Sequence, residues 1–531
     1  MKRREFLKAA AVAGGILTTG SSMANSWSAT KPNILLLMAD DMGYADPTCY
    51  GGEIKTPNLD ALAERGLRFT QHYSTGRCWP SRGCVLTGYY AQQIRRDGMP
   101  GIKMGNRPEW AQLLPNLIKE QGYKSYHSGK WHIDGHPKQN GFDRAYGMCE
   151  KRLGKGCDDN RFFASKPWKE GKYSAPIKKG QEYYSTIAIA DHAIACMKLH
   201  KEEHPDKPFF SYVAFYSPHF PLHALQKDID PYRDKYTQGW DKTREERLER
   251  MKKLGLVNCG LSDLQPKVKP PWNLNPGQLK KIYGEGEAGN AVPWVTLTRE
   301  QKKFQALKMA IHAAMITRMD TEIGRIIKHL KDMGEYENTF ILFASDNGAS
   351  AEQMNRGDKH HRDAPPGSAR SFMCLGPGWS TCSNTPFRYH KHWNHEGGIA
   401  SPLIAHWPKI IKAEGELRHD PSHFIDIVPT VMEVAGAECR DRPGLSLVPA
   451  FAKDGAVVHD HLWWYHAGHR AIRMGDWKLS AVKGGKWELY DLKTDRCEMN
   501  DLAEEKPEIV KKLDKRWKET AEGFRQRLKR G

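Results

Sequence analysis

Cys78-Trp79-Pro80-Ser81-Arg82-Gly83-Cys84-Val85-Leu86-Thr87-Gly88 is the stretch from which the rest of the chain can be read. Pro80 suits the first turn of a helix, where its missing N–H is no loss. Cys78 then stands at the electropositive N-terminus with Arg82 one turn on, an arrangement that receives an anion. The same residues also fit a disulfide half or a buried thiol ahead of a helix.

Outward from this helix lie several strands that end in polar side chains. Asn33 to Ala39 is a continuous apolar run of the kind a parallel strand needs when both faces are covered, and it ends in Asp40-Asp41. Thr339 to Ser345 repeats the pattern and ends in Asp346-Asn347-Gly348, and Phe209 to Tyr216 ends in Ser217-Pro218-His219. Gly122 to His132 reads as a short strand and a glycine turn that presents Lys130 and His132 on one side. Helical segments alternate with these strands: Thr56-Pro57 to Gly66, Leu113 to Gln121, Tyr184 to Leu199, Lys303 to Asp332 and Ile425 to Ala435. In the Lys303 to Asp332 segment, Phe304, Leu307, Ile311, Met315 and Met319 mark a core face. Ligands of open α/β sheets collect at the carboxyl ends of the strands. Three carboxylates and an amide there form a hard-oxygen set, suited to Ca²⁺ or Mg²⁺ and poorly suited to zinc. His219 is the candidate proton donor, with His223 a weaker candidate for substrate contact.

Cys-x-Pro-Ser-Arg followed by a hydrophobic pair and Thr-Gly resembles the signature of the type I sulfatases. Gly122-Tyr123-Lys124-Ser125 with Gly129-Lys130-Trp131-His132 resembles their second signature. The chain departs from the usual first form at Trp79, Cys84, Val85 and Tyr89, positions that bear on neighbouring side chains and leave the Cys-x-Pro-x-Arg core intact. The resemblance implies an alkaline-phosphatase-like α/β/α sandwich with a large mixed, mostly parallel sheet, and a small C-terminal subdomain with an antiparallel sheet and one helix. It implies a sulfuric ester hydrolase acting on a sulfated carbohydrate or aryl sulfate. In that family the cysteine, here Cys78, is oxidised to formylglycine (3-oxoalanine), whose hydrate attacks sulfur. Asp40, Asp41, Asp346 and Asn347 would hold Ca²⁺, or Mg²⁺, against that hydrate, and Arg82 would hold the hydrate in place. Lys130 and Lys391, the latter five residues before Glu396-Gly397-Gly398, would touch the sulfate. His219 would protonate the leaving oxygen and His132 would assist the release of sulfate. Two other readings use the same residues: a phosphoric or phosphonic ester hydrolase of the same superfamily, and a secreted, non-catalytic binder of sulfated glycans.

The 531 residues allow one large domain and a smaller one, assigned here as 30–445 and 446–531. The small domain is expected to hold strand-like runs at His461 to His466, His469 to Met474, Trp477 to Val482 and Lys486 to Tyr490, and a closing helix from Pro507. A formal net charge of +18 favours anionic partners, and no nucleic-acid-binding module is present among the motifs. Residues 1–29 begin Lys2-Arg3-Arg4-Glu5-Phe6-Leu7-Lys8, continue through an apolar run from Ala9 to Thr18 and reach Ser22-Met23-Ala24. This is a twin-arginine export signal in form, which implies a periplasmic or secreted protein with no stable membrane insertion. Export in the folded state would let a formylglycine-generating enzyme or sulfatase maturase act on Cys78 first. Eleven cysteines occur without a Cys-x-x-Cys pair; the ten besides Cys78 permit disulfides, and Cys374 with Cys382 is the nearest pair in one loop. Residues 149–180 read as a polar connection, Asp228 to Lys253 as a solvated helical face, and 254–300 as a long irregular connection of the kind that forms lids.

Overall fold

The computed structural model describes residues 31–148, 162–163, 167–170, 172–173 and 183–530; the expected export signal and most of the 149–180 connection lie outside them. Eleven strands, β1 (Asn33–Asp40), β2 (Leu67–Tyr73), β3 (Lys124–Gly129), β4 (Arg144–Met148), β5 (Pro167–Lys169), β6 (Lys172–Tyr173), β7 (Phe209–Pro218), β8 (Thr339–Ser345), β9 (Ala400–His406), β10 (Leu417–Arg418) and β11 (Ser422–His423), form one sheet. Its order is β10-β2-β9-β8-β1-β7-β3-β4-β5-β6, with β11 also on β2. Strands β8, β1, β7, β3 and β4 run parallel, whereas β9 is antiparallel to both β8 and β2 and β5 to β4. The sheet is therefore mixed and mostly parallel, as expected.

All of β1 is buried, because helices cover both faces of the sheet. On one side Leu35 and Leu37 join a core with the helices Ser185–Glu203 and Arg299–Asp332, where Met315 and Met319 are wholly buried. On the other, Ile34, Leu36 and Met38 meet the helices Cys78–Thr87 and Ile427–Ala435. The long helix begins at Arg299, ahead of the expected Lys303, because Thr298 and Gln301 form a capping box there.

The small C-terminal sheet runs consecutively through β12 (Leu462–His466), β13 (His469–Met474), β14 (Trp477–Ala481) and β15 (Glu488–Asp491), all antiparallel. Leu513 of the last helix, Pro507–Arg530, packs onto its Ile472, Leu479 and Leu489. A buried ionic network joins it to the large sheet. Lys478 Nζ stands 2.8 Å from both Glu396 Oε1 and Glu498 Oε1, and Arg496 Nε and the Tyr73 hydroxyl each donate to Glu396 Oε2 at 3.0 Å.

The charge-rich segment before Lys253 does carry a solvated face, with Lys242, Glu245, Glu249, Lys252 and Lys253 exposed, but it also has a buried one that the charge pattern hid: in the helix Gly239–Lys253, Trp240, Arg244, Arg247, Leu248 and Met251 are buried. Arg247 is fully enclosed and donates to Asp46 Oδ1 at 2.9 Å and to both oxygens of Glu53 at 2.8 Å, so the charge pattern was partly that of a buried ion pair. The pairing that the sequence left open is not that of its nearest neighbours: Cys374 and Cys382 are buried free thiols, whereas Cys259 and Cys497, distant in sequence, have sulfurs 2.9 Å apart. Among the described residues, no helix is long and apolar enough to cross a membrane.

Burial alone would raise the Asp46 carboxyl, but His312 and Arg247 outweigh it and hold it at about 2, against an ordinary 3.8. A carboxyl depressed in the fold stabilises it above the ordinary value and ceases to do so as pH falls through the folded one. Arg247→Leu is expected to cost about 3–5 kcal/mol in urea unfolding at pH 7, since it breaks the buried ion pair with Asp46 and takes two bonds from the part-buried Glu53. The loss should shrink between pH 4 and 2 as Asp46 takes up its proton; a pH-independent loss would show that packing and not charge had been removed.

Candidate active site

The register of the central strands assembles the site. Ala39 lies opposite Ser345 and Asp40 opposite Pro218, so Asp346-Asn347 and His219 emerge beside Asp40-Asp41 although hundreds of residues separate them. Gly129 is aligned with Ala214, and the Lys130 N–H donates to the Ala214 carbonyl at 2.7 Å, which sets Lys130 at the same edge. Gly129 has φ +112°, and a Cβ there would stand 2.0 Å from Ala214 O, so only glycine allows this approach. Side chains alternate along a strand, yet Asp40 and Asp41 both serve one cluster, because Asp41 turns into left-handed backbone at φ 66°.

Cys78 is the first residue of the helix Cys78–Thr87 and is 3 % exposed. Arg82, one turn on, donates from Nε to Asp346 Oδ2 at 2.9 Å, with Nη2 at 2.8 Å from the same oxygen. Its Nη1 also donates to the Tyr212 hydroxyl and to Lys130 O, each at 3.3 Å. Lys130 Nζ pairs with Asp40 Oδ2, and Lys391 Nζ stands 2.6 Å from Asp41 Oδ1. Asn347 Nδ2 donates to Asp41 Oδ1 at 2.8 Å, and the Asp41 N–H donates to Asp346 Oδ1 at 3.3 Å.

Cys78, Arg82, Lys130, Lys391, His219 and the four expected metal ligands fall in this cluster, and His132 meets Trp79, the neighbour of Cys78, ring to edge at 5.8 Å. His219 points Nε2 at Asp41 Oδ2, 3.6 Å away, while its Nδ1 is 2.6 Å from the Phe220 carbonyl. A carbonyl only accepts, so Nδ1 is the donor and Nε2 faces the acids. His223 is set apart, with Nε2 2.5 Å from Ser371 O.

Sequence reasoning missed Glu352, Arg77, Tyr212 and Trp272. Glu352, 2 % exposed, lies 3.5 Å from Lys391 Nζ and accepts from Arg77 Nη2 at 3.1 Å, from Trp272 Nε1 at 3.0 Å and from Ser350 Oγ at 3.0 Å. It sits in the irregular loop after β8, six residues beyond Asp346, where no periodic signal reaches.

Electrostatics show a strained grouping of acids. Burial would raise all the carboxyls, but Lys130, Arg82 and Lys391 hold Asp40 near 2. Asp346 is pushed well above the usual carboxylate range by burial and by Asp40, against the pull of Arg82, and Asp41 is raised by burial and by Asp40 against Lys391. The ligand atoms of Asp40, Cys78 and Asp346 lie within 4.8 Å of one another, as do those of Asp40, Asp41 and His219. Asp40 Oδ1 and Asn347 Oδ1 are buried and accept no hydrogen bond. Crowded carboxylates with two unsatisfied oxygens are what a hard divalent cation would relieve, so the residues fit Ca²⁺ or Mg²⁺.

Residues 32–437 match the model of the family described as Sulfatase, and residues 387–523 match one described as N-sulphoglucosamine sulphohydrolase, C-terminal. An uncharacterized sulfatase of Schizosaccharomyces pombe is 31 % identical over 84 % of this chain and 85 % of its own. An arylsulfatase of Klebsiella aerogenes is 30 % identical, covering 81 % of this chain and 92 % of its own. A solved structure in complex with D-glucosamine-2-N,6-O-disulfate superposes with a TM-score of 0.64 and 22 % identity over 94 % of this chain and 99 % of that one, a likeness of fold.

Calcium at a hundredfold excess over its Kd is expected to stabilise the protein by about 2.7 kcal/mol in thermal unfolding. Asp40→Asn and Asp346→Asn should each remove most of that gain. An equal rise in Tm in these variants would locate the ion elsewhere.

Proposed function

This chain belongs to the sulfatase family and hydrolyses sulfuric esters, and we propose that it removes sulfate from sulfated carbohydrate using an oxidised Cys78 and a divalent cation. The observation that carries this reading is the meeting of Cys78 and Arg82 with four oxygen-bearing side chains at the ends of two parallel strands. A sulfate monoester resists attack because its anionic oxygens repel the nucleophile and its alkoxide leaves poorly, so the site must supply positive charge and a proton.

The charge count supports the first need. Asp40, Asp41, Asp346 and Glu352 face Arg77, Arg82, Lys130 and Lys391, four acids against four bases. A divalent cation held by Asp40, Asp41, Asp346 and Asn347 would add positive charge against the sulfate oxygens and acidify an oxygen nucleophile. Calcium is the ion proposed. Converted to formylglycine, Cys78 would offer a hydrated aldehyde as that nucleophile, at a helix N-terminus that favours anions. Arg82 orients the acid face of the pocket through its paired bonds to Asp346. The ammonium groups of Lys130 and Lys391, paired with Asp40 and Asp41, would turn to a sulfate that docks beside those acids. His219, its Nδ1–H committed to Phe220 O, carries a transferable proton on Nε2 when charged and delivers it to the leaving oxygen. His132, beside Trp79, is assigned to the release of sulfate.

The carbohydrate assignment draws on the saccharide disulfate bound by the structural neighbour and on the basic surface. Export through the twin-arginine signal in residues 1–29, to the periplasm or beyond, and prior conversion of Cys78 by a formylglycine-generating enzyme or sulfatase maturase belong to the same proposal.

Mass spectrometry of the tryptic peptide containing Cys78, with sulfate release from defined sulfated glycans, tests it. Formylglycine in the active enzyme is the expected result; an intact thiol in fully active protein would sink the mechanism. Lys391→Ala should lower kcat/KM on the order of 10²-fold, and unchanged turnover would mean that another cation holds the sulfate.

A further inference from the structure

Trp272 is 41 % exposed, a large aromatic side chain open to water. It comes from the long connection between the helices Gly239–Lys253 and Arg299–Asp332, yet it is fixed to the centre of the site. Its Nε1–H donates to Glu352 Oε1 at 3.0 Å, and Glu352 in turn stands 3.5 Å from Lys391 Nζ. The Arg77 guanidinium lies 5.5 Å from the Trp272 ring centre and 5.2 Å from that of Trp79, and the His392 ring meets Trp272 at 4.9 Å and 81°. The backbone is held as well: Asn273 Nδ2 donates to Ala351 O at 2.9 Å, and the Leu274 N–H donates to Gln353 O at 3.0 Å.

An indole pinned at its N–H, on its flanks and through its backbone gives up little entropy when a ligand covers it, while its uncovered face remains in water. A pyranose ring has an apolar C–H face and a polar rim, the shape that such a face accepts. Positive charge is close by, from Arg77 over the ring and from Lys391 beside Glu352, matched to an anionic ester.

We propose that Trp272 is the platform for the sugar that carries the scissile sulfate, so that the enzyme selects sulfated pyranosides over acyclic sulfates. The proposal deepens the sulfate-ester reading and rests on it. Trp272 does no chemistry here; it determines specificity by stacking.

The test uses full-length protein with Cys78 converted, a panel of 6-O- and 4-O-sulfated methyl pyranosides, and n-propyl sulfate as the acyclic comparator. Trp272→Ala is expected to lower kcat/KM on the preferred pyranoside by roughly tenfold, through KM, with a smaller loss on n-propyl sulfate. Trp272→Phe, which keeps a ring and loses the N–H bond to Glu352, should recover part of the pyranoside loss. Equal losses on both substrates, or no recovery with phenylalanine, would make Trp272 a support for Glu352 and overturn the proposal. If the wild type hydrolyses no sulfate ester, the function above falls, and titration calorimetry of the same pyranosides against Cys78→Ala protein still decides this inference: an unchanged Kd on adding Trp272→Ala overturns it.

Discussion

Burying carboxylates beside one another is the constraint on which this structure depends. Asp40, Asp41 and Asp346 are each 3 % exposed or less, and like charges in a low-dielectric interior repel strongly. The fold answers by threading cations between them: Lys130 onto Asp40, Lys391 onto Asp41, Arg82 onto Asp346. The answer is incomplete, since Asp41 and Asp346 remain raised and two oxygens accept no bond. A structural core would replace such a grouping with apolar side chains at little cost. A grouping kept in this state is fitted to receive further positive charge.

What makes the grouping possible is a parallel sheet with a fixed register. Hydrophobic residues on both faces of β1 leave it one depth in the molecule, and the ladder to β7 and β8 then sets where each strand stops. A slip of one residue would turn Asp40 to the other face and separate it from Asp346. The glycines after the strands answer to the same geometry: at Gly348 a Cβ would stand 1.9 Å from Gly397 O, so the loop after Asn347 and the Glu396-Gly397-Gly398 turn touch backbone to backbone. That turn also anchors Glu396, the acid that binds Lys478 and Arg496 of the C-terminal portion, so the second sheet is tied to the edge where the chemistry sits.

These relations explain what could be read from the sequence. The strands that carry the acids are uniform apolar runs with abrupt polar ends, and Pro80 marks the first turn of the helix of Cys78, so hydrophobic pattern and breaker residues both report on them. The charged helix Gly239–Lys253 deceived because a buried arginine such as Arg247 looks like a surface arginine until its partners, Asp46 and Glu53, are known, and they lie about two hundred residues earlier. Cysteine pairing was not legible at all, since nearness in sequence says nothing about how two thiols are buried: Cys374 and Cys382 stay apart, and the sulfurs in contact are those of Cys259 and Cys497. Glu352 and Trp272 were illegible for the same reason: each sits in a loop whose path is set by contacts and not by any local pattern.

The two kinds of residue differ in what they can vary. Acids at strand ends are fixed by hydrogen-bond register shared with three neighbouring strands, so moving one means moving the sheet. Trp272 and its flanking residues hang on loop backbone bonds to Ala351 and Gln353, which another loop sequence could make at a different height. The chain therefore separates the part that must break a sulfur–oxygen bond from the part that chooses which molecule presents it. The two meet at Glu352, whose one oxygen accepts from the indole of Trp272 while the other faces the ammonium of Lys391.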